Sequence, residues 1–346
     1  MPNRKHPLLL TLEYPPSLPQ TIPQESLGAP KYGGVATYLA GEVGASRELV
    51  RVMRAEEHFW DKWPHWLPLL WRAIPPPVSR RGLGGGRPDY LWISHILPIG
   101  YAALWWKWRF KIPYRVYVHG LDLVMARRSA WKRWWASRIL REASEIIANS
   151  RATSQLLLKY GIDPSRARVS YPRVPKVDPA RYRAHAAELR QKYALGARPI
   201  LLSVGRLVKR KGIDVVLRSL REVWKIVPEL VYVVVGDGTE RRELELSSRG
   251  GHVMFTGEVS DEEKYAWLSA CDCFILTPTD DPNDFEGYGI VYKEAQMFNK
   301  PVIGSRVGGV PEAVGDNGVL VEPGNIGQIA EAIITQIENG YQKTEI

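Results

Sequence analysis

A chain of 346 residues with 45% hydrophobic and 24% charged content has the length and apolar fraction for two domains with separate cores, which excludes a disordered or fibrous protein. Its two cysteines, Cys271 and Cys273, stand one residue apart, which excludes a disulfide-stapled scaffold and fits a reducing compartment. The net charge of +10 is lopsided: residues 1–195 hold 31 Lys and Arg against 14 Asp and Glu, a balance of +17, whereas residues 196–346 hold 16 against 23, a balance of −7.

Met1 to Pro7 leads straight into the apolar run Leu8 to Leu12, so no N-terminal signal is expected. Short apolar runs then alternate with amphipathic stretches. Leu8 to Glu13, Leu49 to Arg54, Tyr90 to His95, Arg115 to His119, Glu145 to Asn149 and Ala167 to Tyr171 read as strands with helices between most of them. The longest apolar stretch, Leu91 to Trp106, is interrupted by Ser94, His95 and Pro98 and falls short of the ~20 residues a membrane span needs. Arg181 to Arg198 reads as a polar connector, after which the pattern restarts at Ile200 to Gly205, Val231 to Gly236, His252 to Thr256, Cys273 to Pro278, Pro301 to Ser305 and Gly318 to Val321. Runs rich in Val, Ile and Leu that end in Gly or polar residues before a helix predict parallel strands buried on both faces. The expected architecture is α/β: two Rossmann-like doubly wound domains, residues 1–180 and 199–346, joined by a linker over 181–198 and facing each other across a cleft lined by the loops at their strand ends.

The first half carries eleven of the thirteen tryptophans, interleaved with Lys and Arg in segments such as Trp60 to Trp71 and Trp105 to Trp135. That composition suits an anionic membrane surface. Single-stranded nucleic acid is a weaker alternative, and a plain core with a solvated charged face is the structural one. Lys31-Tyr32-Gly33-Gly34-Val35 precedes a helix and either offers backbone amides to a phosphate or an acceptor, or is only a flexible helix start. His119 closes the strand from Arg115, ahead of Gly120 and Asp122, where a histidine is placed to touch a reacting group.

In the second half, Ser203 to Gly212 puts Arg206, Lys209, Arg210 and Lys211 within six residues between a strand and a helix. Cations oppose the helix dipole there, so Arg206 and Lys211 read as partners of a diphosphate leaving group, while Lys209 and Arg210 read as solvated. Val233 to Glu240, turning on Gly236 and Gly238, lacks a full G-x-G-x-x-G spacing and reads as packing, which weakens a dehydrogenase reading. Phe255 to Ser260, with Glu258 and Val259, either meets a nucleotide base or only caps the following helix through Ser260. The most informative stretch is Asp284 to Glu294. Glu286 and Glu294 flank a turn with Gly287 and Gly289 that runs into an apolar helix; backbone amides there suit a phosphate, and carboxylates beside it must accept from neutral hydroxyls, which points to a sugar nucleotide. The seven histidines are scattered and no acidic D-x-D cluster occurs in a suitable first-domain loop, so no metal site is expected.

With these pieces in order, together with Glu13-Tyr14-Pro15-Pro16, Ala148-Asn149-Ser150 and Gly308-Gly309-Val310-Pro311-Glu312, the chain resembles a family 4 glycosyltransferase with the two-domain GT-B architecture, over nearly its whole length. Glu286 to Gln296 is similar to the phosphatidylinositol mannosyltransferase subgroup. The resemblance implies that Arg206 and Lys211 hold the donor diphosphate, that Glu286 with Gly287, Tyr288 and Gly289 holds sugar hydroxyls, that Glu294 holds the ribose, and that His119 lies against the donor sugar. It adds Gly33, Gly34, Gly205, Gly236, Glu258, Val259 and Ile290 to the donor-binding set. It also implies retention of anomeric configuration, no metal or other cofactor, and GDP-mannose as a somewhat favoured donor over a UDP-sugar. Members usually continue through a helix that crosses back onto the first domain, whereas this chain stops at Ile346, soon after the helix from Ile326.

The leading expectation is thus a hexosyltransferase acting from a nucleotide sugar onto a glycolipid or polysaccharide precursor, cytoplasmic and peripheral on the inner membrane face. A sugar-nucleotide epimerase or hydrolase would instead turn over donor alone. A non-catalytic sugar-nucleotide sensor or nucleic-acid binder would not need Arg206, Lys211, Glu286 and Glu294 together.

Overall fold

The computed structural model describes residues 7–11, 38–39, 42–43, 51–54, 88–175, 177–249 and 251–342. The chain divides into two compact units, Met1–Pro175 and Lys176–Ile346, each built on one six-stranded sheet.

In the first unit the strands are β1 Pro7–Thr11, β2 Arg51–Arg54, β3 Tyr90–Ile93, β4 Tyr114–Val118, β5 Glu145–Ala148 and β6 Ala167–Val169. They pair in parallel in the order β2-β1-β3-β4-β5-β6. Both faces are covered, and the alternation of side chains along each strand shows how. Leu91, Ile93, Val116, Val118, Ile146 and Ala148 enter one core with Ala103, Trp106, Ile139 and Leu140 of the helices Gly100–Phe110 and Ala130–Glu142. Leu9, Trp92, Tyr117 and Ile147 enter a second core with Tyr38, Leu39 and Val43.

In the second unit the strands are β7 Ile200–Val204, β8 Val231–Val235, β9 Val253–Gly257, β10 Cys273–Ile275, β11 Val302–Ser305 and β12 Val319–Val321. They are parallel and ordered β12-β11-β10-β7-β8-β9. The helix Ile213–Ile226 buries Val216, Leu220 and Val223 on one stripe, and the helix Ile326–Gln342 packs beside it. From β7 the chain winds outward through β8 and β9 on one side, then through β10, β11 and β12 on the other. The loops leaving the neighbours β7 and β10 therefore part in opposite directions and open a crevice at their carboxyl ends, which is where ligands bind in such sheets.

The expected linker over 181–198 is a correction. Residues 183–192 form the helix Arg183–Lys192, whose Ala186 and Leu189 are buried against the helix Asp261–Ala270. The tilted ring of Tyr182 lies 5.4 Å from that of Tyr265, and Arg190 donates to the Ala270 carbonyl at 2.7 Å. The apolar positions 182, 186 and 189 recur at helical spacing, and the segment belongs to the second unit, whose boundary lies at 175/176 and not at 180/181.

Of the first-half tryptophans that are described, Trp92 and Trp106 are core, as the plain structural alternative expects of some of them. Trp108, Trp131 and Trp134 are 74%, 61% and 60% exposed. Trp60 to Trp71 lie outside the described residues. Among the described residues no helix is long and apolar enough to cross a membrane.

Candidate active site

The loop leaving β7 is shaped from both sides. Gly236 sits at φ +131°, and a Cβ there would run into the Gly205 carbonyl; Leu207 donates to the Asp237 carbonyl at 2.9 Å. The Gly236-Asp237-Gly238 turn is thus a support that sets the height of the loop carrying Arg206, in keeping with the packing reading. On the other side Gly212, at φ +68°, abuts the Thr277 carbonyl so closely that any side chain would collide, while Thr279 donates to the Arg210 carbonyl at 2.9 Å. These contacts lock the β7 loop onto the end of β10.

Ser203, Gly205, Arg206, Lys211 and Leu276 converge at this point. Arg206 is exposed and makes no ion pair among the described residues. Lys211 Nζ lies 2.7 Å from Glu286 Oε2, so two predicted site residues 75 positions apart do meet. Arg210 is the surprise. It is buried at 8% exposure, ion-paired to Glu286 Oε2, with Nε 2.8 Å from Asp284 Oδ1; the expectation that it is solvated is corrected, whereas Lys209 is exposed as expected. Burial pushes the Glu286 carboxyl upward, but Lys211 and Arg210 outweigh it and hold the group below the usual carboxylate range. Glu286 is therefore a fixed anion.

After Gly287 and the buried Tyr288, Gly289 opens the helix Ile290–Met297. Gly309 donates to the Glu286 carbonyl at 2.9 Å, which ties the turn to the Gly308-Gly309 loop. Glu294, on this helix, is buried at 4% exposure and has a partner that sequence reasoning missed: Lys264 Nζ stands 2.9 Å from its Oε1, with the Tyr265 hydroxyl at 3.4 Å. Burial works against the Lys264 charge, yet Glu294, Tyr265 and Asp261 hold its pKa up. The ion pair orients Glu294 as a hydrogen-bond acceptor against the helix Asp261–Ala270, which follows β9. Glu258 is exposed there, and Ser260 accepts from the Glu263 amide at 3.1 Å, which bears out the capping reading of that loop. Glu294→Gln is expected to weaken nucleoside diphosphate binding by about tenfold, the ~1.4 kcal/mol scale of a charge-assisted hydrogen bond. Calorimetry that finds unchanged affinity would remove Glu294 from the site.

His119 lies in the first unit at the carboxyl end of β4. It is buried, its Nε2–H donates to the Ser94 carbonyl at 2.9 Å, and its amide donates to Asp122 Oδ1 at 3.0 Å. A carbonyl only accepts, so Nδ1 is the ring's acceptor nitrogen. The His95 ring stands 5.4 Å away. Burial drives both histidines down to about 4, so both are neutral at pH 7. Gly33 and Gly34 lie outside the described residues.

Comparison with known proteins places this geometry. The family model "Glycosyltransferase Family 4" matches residues 29–176, and "Glycosyl transferases group 1" matches residues 186–345. The chain belongs to the family 4 glycosyltransferases. It is 35% identical over 208 residues to the GDP-mannose-dependent alpha-(1-6)-phosphatidylinositol monomannoside mannosyltransferase of Mycolicibacterium smegmatis, covering 57% of this chain and 53% of that protein. The alpha-D-kanosaminyltransferase of Streptomyces kanamyceticus is 29% identical over 208 residues, covering 58% and 53%. This family 4 chain therefore spans about half the length of the curated relatives it matches. Anabaena HepE in complex with UDP and glucose shares the fold at a TM-score of 0.69 and 19% identity, covering 97% of this chain and 91% of HepE; the two parallel-sheet α/β units are the two Rossmann-like domains of a GT-B fold.

Proposed function

We propose that the protein transfers a hexosyl group, with retention and without a metal, from a nucleoside diphosphate sugar to a glycolipid or polysaccharide precursor at a membrane surface. The observation that carries this reading is the arrangement at the β7/β10 crevice: Arg206 open to solvent, Lys211 beside it, and Glu286 held ionised 2.7 Å from Lys211. Two cations meet the charge that grows on the departing diphosphate, the task a divalent metal performs elsewhere. Glu286, already stabilised by two cations, is a poor nucleophile and a good acceptor for sugar hydroxyls. In the step itself the bond from the anomeric carbon to the diphosphate oxygen breaks, the acceptor oxygen bonds to that carbon on the same face, and the acceptor proton passes to the departing phosphate oxygen. His119, neutral and fixed in one tautomer, would sit against the donor sugar, and Glu294 against the ribose.

GDP-mannose is the donor we favour, because the 35% identical relative from Mycolicibacterium smegmatis uses it. The membrane part rests on the exposed Trp108, Trp131 and Trp134 and on the exposed Lys132, Arg133 and Arg138 of the same helix as Trp131, a pairing of indoles and cations that favours anionic headgroups. The test is transfer from labelled GDP-mannose and UDP-glucose to vesicle extracts containing phosphatidylinositol glycolipids, in excess EDTA. Labelled lipid should form in EDTA, faster on anionic than on neutral vesicles, with the anionic advantage shrinking as salt rises. Donor breakdown without labelled acceptor, or loss of activity in EDTA restored by manganese, would overturn the reading.

A further inference from the structure

The β7 loop supplies a buried cation, Arg210, that takes no direct part in the transfer step above. Arg210 is buried, unlike the exposed Arg206 on the same loop. Its guanidinium lies between two carboxylates, hydrogen-bonded to Glu286 and in charge contact with Asp284, and its carbonyl is anchored by Thr279. Among the described residues, the bonds to the Glu286 carboxylate all end on Oε2, one from Arg210 and one from Lys211. That leaves Oε1 as the atom offered to a ligand. It also sets Lys211 two incompatible tasks: a buried carboxylate needs a counter-charge, and an arriving diphosphate needs the same ammonium.

We propose that Arg210 is a positioning residue of the donor site, a fixed counter-ion for Glu286 that frees Lys211 to turn to the donor diphosphate. Guanidinium chemistry suits the fixed part, because it is always charged and its planar fork can hold two carboxylates at once. Ammonium chemistry suits the moving part, a compact charge on a flexible stem. The inference rests on the donor-site reading and adds a division of labour to it: two adjacent cations, Arg210 and Lys211, meet the same carboxylate oxygen, and only one of them leaves.

Binding of GDP to the full chain tests this by a double-mutant cycle. In Arg210→Gln, Glu286 retains Lys211 as its sole close cation, so GDP affinity should fall by roughly tenfold. In Arg210→Gln/Glu286→Gln the carboxylate no longer competes, so most of that affinity should return. A merely structural Arg210 predicts no such rescue. The acid limb of the kcat/KM profile of Arg210→Gln should also move to higher pH, because Glu286 then faces only Arg206 and Lys211 as cations, with Asp284 and Tyr292 as its other titratable neighbours. Should Arg210→Gln fail to fold, Arg210→Lys carries the same test: it keeps the charge but cannot bridge both carboxylates, and should show a smaller fall in GDP affinity that Glu286→Gln again relieves. Wild-type affinity in the single variants, or no recovery in the double variants, overturns the proposal. No GDP binding by the wild type would instead overturn the donor-site reading on which it rests.

Discussion

Alanine at Arg206 or at Lys211 is expected to lower kcat/KM for sugar transfer by about a hundredfold or more, with little change in unfolding. On the proposed reading each variant removes a cation that meets the charge developing as the diphosphate departs, and losing one such electrostatic partner costs ~2.7–4 kcal/mol of transition-state stabilisation. The small stability cost follows from the surroundings. Arg206 is exposed and makes no ion pair among the described residues, and Lys211, though 2.7 Å from Glu286, leaves that carboxylate paired with the buried Arg210. Transfer rates and thermal unfolding measured on the same preparations separate the two effects. Near-normal transfer by both variants would sink the diphosphate assignment.

The second large effect is on stability against acid. His119 and His95 are held near pKa 4 by burial, against an ordinary 6.5. A histidine with a depressed folded-state pKa stabilises the fold fully above pH 6.5. That contribution is lost as pH falls, because the unfolded chain takes up the proton first, and the loss continues until the folded state titrates near pH 4. For the nearly inaccessible His119 the displacement is of order 3 kcal/mol; His95 retains some exposure and should contribute less. Eleven of the thirteen tryptophans precede residue 136, so tryptophan fluorescence reports mainly on the unit that holds the histidines. Denaturant melts followed this way should show stability falling between pH 6.5 and pH 4, with a flatter dependence in His119→Gln. Identical slopes for wild type and variant would mean that His119 titrates normally and is not buried as neutral.

Much of this was legible in the sequence, because parallel strands buried on both faces announce themselves as apolar runs ending in glycine or polar residues. Val231 to Gly236 was placed to within a residue of Val231–Val235. The pairing of Lys211 with Glu286 was half legible, as both were assigned to one site without being assigned to each other. Arg210 was misread because three consecutive cations in Lys209–Lys211 look alike in sequence, and which one is buried depends on carboxylates at 284 and 286, more than seventy residues later. A signal was available: acids at two alternate positions, Asp284 and Glu286, opposite a cation run. Lys264 carried a clearer one. A lysine in the opening turns of the helix Asp261–Ala270 opposes the dipole, the same argument that singled out Arg206 and Lys211, and its partner is Glu294. The helix Arg183–Lys192 was hidden by its Arg content, since the long charged side chains masked a stripe of only Tyr182, Ala186 and Leu189.

The proposed function makes the second unit a receptor for a nucleoside diphosphate sugar built on Arg206, Lys211, Glu286 and Glu294. Thermal unfolding with GDP-mannose, UDP-glucose and ADP-glucose in turn tests it most directly, since a ligand at a hundredfold excess over its Kd adds ~2.7 kcal/mol of stability. The account predicts a clear upward shift in Tm with a sugar nucleotide, largest for GDP-mannose, and its disappearance in the Arg206→Ala/Lys211→Ala double variant. No shift with any of the three, or an equal shift in wild type and double variant, would contradict it.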